Sequence, residues 1–287
     1  MTVPRLSISY TPTNGVTREL LTRYDMRVEV GQAYYEDAVA NVADLVASVH
    51  LPWNEAELGR HNYAAVDEEF RRVSSDRIRA AIVFAGRHFP AAKVAVLHGA
   101  PYRWMPHEHE GGRVGDYELF IAGLREFADL TAEHELLLTL ENNNCYWVNA
   151  AGESAWEDAE PTPDMRYFGC TPEHWLAAYD DVAHANLKLC LDTAHACTYA
   201  HTIADHGERT EALLSYVARP EAIAHVHWNG HQAFEPEGRT DKHLNVGKGS
   251  IPEELHRRVK QLDASHLLEH YHGEDALIEE LAYIDAL

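Results

Sequence analysis

Eight short apolar runs rich in β-forming residues alternate, without exception, with eight helix-like stretches. The runs cover residues 6–10, 27–30, 47–51, 94–99, 136–141, 187–192, 223–228 and 266–271. The stretches that follow them cover 17–24, 36–44, 66–88, 117–134, 172–183, 208–217, 252–262 and 275–286. Alternation of this kind calls for parallel strands joined by crossover helices. Eight such units in 287 residues predict closure into a (β/α)8 barrel, a fold that typically needs roughly 250 residues. No internal repeat, low-complexity tract or Pro/Ser-rich linker interrupts the pattern. Residues 1–287 are therefore expected to form one TIM-barrel domain.

Local signals agree with the helix assignments. Thr171 stands where it can cap a helix that begins at Pro172. Ser250 and Glu253 have capping-box spacing around Pro252. Phe70, Val73, Ile78, Ile82 and Phe84 recur at near-helical intervals between charges. Two connections are long, 142–170 and 229–249, and loops beyond about 12–15 residues are usually lids or binding loops. The first carries Tyr146, Trp147, Trp156, Tyr167 and Phe168. Such a loop suits covering a substrate, or packing on its own barrel or on a sister subunit.

The net charge is −22, and only five of the 24 basic residues are lysine. Such a surface repels nucleic acid and anionic membranes, and no basic patch relieves it. It suits a small-molecule partner and a salt-rich cytoplasm. No run of about 18 apolar residues is present, and the first residues lack a signal-peptide pattern. The four cysteines form no C-x-x-C pair, which points to a reducing, cytoplasmic setting. A homo-oligomer is compatible with all of this.

Acidic residues and histidines gather at the predicted strand ends. His50 lies near the end of the third run, His98 at the end of the fourth and Glu141 at the end of the fifth. Asp192 closes the sixth, with His195 three residues on. His227 closes the seventh, Asp241 and His243 follow in its loop, and Glu269 closes the eighth. In this architecture the C-terminal rim is where active sites form. Any one of these residues alone reads as a helix cap, an ion-pair partner or a hydrogen-bonded core histidine. Their recurrence at six consecutive strand ends reads as a metal site: carboxylates and imidazoles together suit Mn, Mg, Co or Zn, and without a cation the acids would repel one another. His107, His109, His270 and His272 also fall near the rim and are expected behind the ligands or in solvent.

The segments Leu140–Asn142 (LEN), LDTAHA at 191–196, HVH at 225–227, DKHLNVGKGSI at 241–251 and LLE at 267–269 make the chain resemble the xylose-isomerase-like barrel superfamily. That group includes sugar isomerases, epimerases and metal-dependent apurinic endonucleases. The resemblance spans nearly the whole chain. It implies one divalent metal on Glu141, Asp192, His227 and Glu269. The endonuclease branch implies further metal ligands at His50, His98, His195, Asp241 and His243. The chain departs from that branch where Asn142-Asn143-Asn144-Cys145 follows Glu141. It departs from the epimerase branch at Ala233, where an arginine is usual.

From this resemblance the expected activity is a divalent-metal-dependent isomerase or epimerase of a sugar or polyol, working through an enediolate. Glu141 and Glu269 would be the base and acid, and His195, Trp104 and Trp147 would contact substrate. Dehydration or lyase chemistry on a related polyol would use the same parts. The alternatives are an apurinic endonuclease-like phosphodiester hydrolase and a non-catalytic metal-binding barrel. The negative charge weighs against the hydrolase.

Overall fold

The structure, a computed structural model, describes residues 6–31, 39–55, 59–102, 114–149, 153–158 and 160–287. Strands β1 (Leu6–Tyr10), β2 (Arg27–Gly31), β3 (Val46–His50), β4 (Val94–His98), β5 (Leu137–Glu141), β6 (Leu187–Asp192), β7 (Ile223–His227) and β8 (Ser265–Leu268) pair in parallel in chain order. The eighth closes on the first, with Leu6 opposite His266 and Ile8 opposite Leu268. The fold is a TIM barrel, with α-helices α1 (Arg18–Arg23), α2 (Glu68–His88), α3 (Tyr117–Glu133), α4 (Pro172–Val182), α5 (Thr193–Ala200), α6 (His206–Ser215), α7 (Glu253–Lys260) and α8 (Glu274–Ala286).

Strand periodicity explains how the barrel is held. Residues of one parity, such as Val28, Val30, Leu138, Leu140, Leu189 and Leu191, are fully buried between sheet and helices. They share one core with Ile78 and Ile82 of α2, Phe120 and Phe127 of α3, Trp175 of α4 and Leu255 of α7. Each such side chain contributes about 1.5–3 kcal/mol on burial, so this outer layer carries the stability of the fold. Residues of the other parity turn inward. Val94, Val96 and Cys190 form a small separate apolar plug, and Glu29, Ser48, Thr139 and His225 are buried polar groups of the same parity as the rim residues of their strands or neighbours.

The structure departs from the sequence expectation in four places. The helix expected at 36–44 falls partly outside the described residues, and its described end is a 3-10 turn at Ala43–Leu45. A single helix expected at 208–217 is preceded by α5, which starts directly at the end of β6. The capping box at Ser250 does not form: the α7 cap position is Pro252, without a side-chain cap. Ser250 Oγ instead donates to Glu235 Oε2 at 2.6 Å, so a long-range partner outcompetes the local one. The long connection after β5 contains an antiparallel pair, Tyr146–Val148 with Thr162–Asp164. Thr171 does cap α4, accepting from the His174 amide at 3.2 Å. No helix among the described residues is long and apolar enough to cross a membrane.

Candidate metal centre

Parallel register brings the acidic and imidazole side chains to one level. His98 sits opposite Glu141, and Asp192 sits opposite His227. Asp192 does two things. Its Oδ1 accepts from the His195 amide at 2.7 Å and so caps α5, while Oδ2 lies 3.7 Å from His227 Nδ1. The cap fixes where the helix begins, and that places His195 one turn inside it, at the barrel mouth. Asn142 ties β5 to β6 at this level. Its Nδ2 donates to the Asp192 carbonyl at 2.9 Å, and its Oδ1 accepts from the Asp192 amide at 2.6 Å. Asn143 accepts from the Gly99 amide at 2.7 Å. A Cβ on Gly99 would meet the Phe168 carbonyl oxygen at 2.0 Å, so only glycine lets the long loop close against the end of β4.

Three ligand sets overlap. In the first, one atom from each of Glu141, Asp192, His227 and Glu269 lies within 4.8 Å of all the others. His227 Nδ1 is the hub, 3.2 Å from Glu141 Oε1 and 3.1 Å from Glu269 Oε2. The second set joins His50 and His98 to Glu141. Their Nε2 atoms lie 3.2 Å and 3.0 Å from Glu141 Oε2. The third joins Asp192, His195 and His243, and Asp241 spans the last two, 3.3 Å from His195 and 3.0 Å from His243. Every one of the nine residues picked from the sequence as a metal ligand is in this cluster.

The electrostatics are those of a site short of positive charge. Burial opposes ionisation of every group. For Glu141 the imidazoles of His98, His227 and His50 outweigh it, and the carboxyl is held well below its usual range. For Glu269 burial is outweighed by His227 and His243, and its pKa falls to about 2. For Asp192 burial prevails, reinforced by Glu269 and Glu141, and pushes it up to about 7. In spite of their burial, His195 is raised well above the ordinary imidazole value by Asp192, Asp241 and Glu141, and His227 by Cys190, Glu269, Glu141 and Glu29. His243 rises to about 10, where Glu269, Asp241 and Asp192 overcome burial. Protons on imidazoles thus stand in for a cation.

The unpaired atoms fit one. Glu141 Oε1, His227 Nδ1 and Glu269 Oε2 are all buried without a hydrogen-bond partner, although buried polar atoms are otherwise almost always paired. They point at one another from the ends of β5 and β7 and from the residue after β8. Three carboxylates and one imidazole form a donor set suited to a divalent cation. Glu141, Asp192, His227 and Glu269 would hold it.

The structure also places the remaining residues. Trp147 is buried; its indole N–H donates to the Thr198 carbonyl at 3.1 Å, and the Arg239 guanidinium lies 4.9 Å from its ring centre. Those contacts anchor the loop to α5 and to the 3-10 turn at Pro236–Arg239. Trp104, His107 and His109 lie outside the described residues. His270 bonds Asn229 and Glu280, and His272 is exposed and contacts the His243 carbonyl. Sequence reasoning passed over Glu29, whose two oxygens lie 3.2 Å from His225 Nε2 and 3.2 Å from His227 Nε2. The available signal was a carboxylate flanked by valines inside an apolar run. Trp53, also passed over, stacks on His98 at 5.6 Å and is 42% exposed at the mouth.

A family model described as xylose isomerase-like TIM barrel matches residues 17–287. No curated protein sequence matches the chain. Among solved structures, a D-tagatose 3-epimerase-like protein aligns with TM-score 0.65 at 20% identity, covering 98% of each chain. A Thermus thermophilus protein soaked with ZnCl2 aligns with TM-score 0.64 at 21% identity, over 98% of this chain and 97% of that one. Endonuclease IV from the same organism aligns with TM-score 0.57 at 19% identity, over 99% and 98%.

Proposed function

This chain belongs to the xylose isomerase-like TIM barrel family, and on that premise we propose that it is a divalent-cation-dependent isomerase or epimerase of a sugar or related polyol. The observation that carries the proposal is the trio of buried, unpaired atoms on Glu141, His227 and Glu269. It puts two carboxylates from non-adjacent strands on either side of one small space. A divalent cation held there supplies stabilisation of the negative charge that develops on adjacent substrate oxygens. Glu141 and Glu269 reach the substrate from opposite sides of the mouth. One takes the carbon-bound proton and the other returns one, so configuration or carbonyl position changes. His195, whose Nδ1 is held by the Asn142 carbonyl, contacts a substrate hydroxyl through Nε2 when that atom leaves Asp241. Structural likeness to a D-tagatose 3-epimerase-like protein supports this class. The net charge of −22 supports a small-molecule substrate, and we place the enzyme in the cytoplasm, where its four buried free thiols stay reduced.

The test uses purified protein loaded with Mn, Mg, Co or Zn and a panel of ketoses, aldoses and cyclic polyols in deuterated water. A substrate should exchange a carbon-bound proton with solvent. Glu269→Gln should reduce that exchange by at least about 10²–10⁴-fold, with cation content measured alongside. Absence of exchange on every panel member, in cation-loaded protein, overturns the proposal.

One observation favours a second reading, a phosphodiester hydrolase. The two further ligand sets, His50 with His98 and His195 with His243, share Glu141 and Asp192 with the first, and one structural neighbour is an endonuclease. Cation-dependent incision of abasic duplex DNA, with no proton exchange on sugars, would select it.

A further inference from the structure

Beneath the rim lies a second row of polar groups that the proton-transfer chemistry does not use. Glu29, His225 and His227 are 4%, 0% and 0% exposed, and they come from strands far apart in the chain. Glu29 Oε2 is hydrogen-bonded to His225 Nε2 at 3.2 Å. Its Oε1 lies 3.2 Å from His227 Nε2. His225 Nδ1 meets Ser265 Oγ at 2.6 Å, and Ser265 and His225 both line the cavity at the opposite end of the barrel.

One assignment of protons uses every atom in this row. A carboxylate only accepts, so both imidazole Nε2 atoms facing Glu29 carry hydrogen. His225 Nδ1 then has a free lone pair, which the Ser265 hydroxyl fills. His227 Nδ1 faces Glu141 and Glu269, and its lone pair becomes free when a cation takes the place of the proton that these carboxylates hold there. We propose that Glu29, backed by His225 and Ser265, is a positioning residue that holds His227 in the Nε2–H form and presents Nδ1 to the cation. The proposal rests on the metal-centre reading above. Carboxylates in this position behind a ligating histidine orient the ring and raise its basicity.

The potential ligand atoms of Cys190, His225 and His227 also lie within 4.8 Å of one another, a donor set that a soft cation could take. Glu29 is hydrogen-bonded to His225 Nε2 and faces His227 Nε2 at 3.2 Å, an atom with no other partner among the described residues, so both Nε2 atoms point at a carboxylate. A thiolate-bound cation is therefore the competing outcome.

The experiment uses the whole chain with histidine labelled in both ring nitrogens, loaded with Zn²⁺ and observed by proton–nitrogen correlation NMR. In the wild type, His227 should show a coordinated Nδ1 and a slowly exchanging Nε2–H. Glu29→Gln should lose that protected signal and weaken the Zn²⁺ dissociation constant by about 10–100-fold. Glu29→Asp should recover part of both. If Glu29→Gln fails to fold, Ser265→Ala reports on the same chain from its far end, by altered His225 nitrogen shifts and faster Nε2–H exchange at His227. Unchanged His227 tautomer and affinity in the variants, with Zn²⁺ still bound, defeats the positioning role alone. A wild type that binds no Zn²⁺ defeats the metal-centre reading and this proposal together. A thiolate charge-transfer band in Co²⁺-loaded wild type, absent from Cys190→Ser, would overturn the proposal in favour of a second cation.

Discussion

At the N-terminal ends of the strands, Arg27 and Lys93 line a cavity of about 740 Å³ together with Asp25, Asp263 and the hydroxyls of Ser7, Ser48 and Ser265. At the C-terminal ends, the three ligand sets are made of carboxylates and imidazoles alone. The same strands build both ends. At the first, charges of opposite sign share one space and neutralise each other with solvent present. Lys93 and Glu135 are 3.9 Å apart and 64% and 88% exposed there. At the second, like charges are packed out of water at a cost, and among the described residues the raised histidines balance them. On the reading proposed above, a bound cation would relieve that cost. The contrast predicts that substitutions at the first end cost little and those at the second cost much.

The sharpest way to break this contrast is Glu141→Gln. Glu141 belongs to two ligand sets, so the substitution should lower the bound-cation content more than His243→Ala, which touches one. Turnover should fall by at least about 10²-fold. Elemental analysis of dialysed protein gives the first quantity and steady-state kinetics the second. Equal cation loss in both variants would mean that the sets are not shared as drawn.

Acidity tests the same contrast with a smaller effect. His243, raised to about 10, contributes stability to the cation-free fold below its unfolded value near 6.5 and loses it as pH rises through about 10. Asp192, raised to about 7, opposes folding increasingly as pH climbs from its unfolded value near 3.9 to about 7. Both trends make the cation-free protein less stable with rising pH. A bound cation replaces the protons and removes the dependence. The gap in melting temperature between Zn²⁺-loaded and chelator-treated protein should therefore widen from pH 6 to pH 9. A constant gap would count against protons standing in for a cation.

The smallest effect belongs to the other end. Lys93→Ala removes a solvent-screened ion pair and should change stability by no more than about 0.5 kcal/mol. Cation content and turnover should stay at the wild-type level. A substantial loss of either would show that the two ends are coupled more strongly than charge balance suggests.

How far the site was legible depends on what kind of information each residue carries. Asp192 and His227 close short apolar runs, and a run's end is a local property, so both are visible in a single chain. Trp147 is equally visible as an aromatic in a long loop, and the structure adds that its indole N–H donates to the Thr198 carbonyl. Whether a loop aromatic faces a ligand or its own barrel depends on what the loop folds against. Asn142 was visible as part of the LEN segment and as a departure from the endonuclease branch, and the structure turns it into the clamp on the Asp192 backbone.

Alternating run lengths determined the barrel, because hydrophobic periodicity and strand length act within a few residues of one another. Strand ends then determined the rim, since a parallel barrel delivers every C-terminal end to one face. Tertiary structure alone decided which inward residues share a layer. Glu29 and His225 are 196 positions apart, and Ser250 abandons its own helix for Glu235. Such pairings follow from strand register and loop closure around the whole ring. No short window of sequence contains both partners, so only the closed barrel brings them within reach.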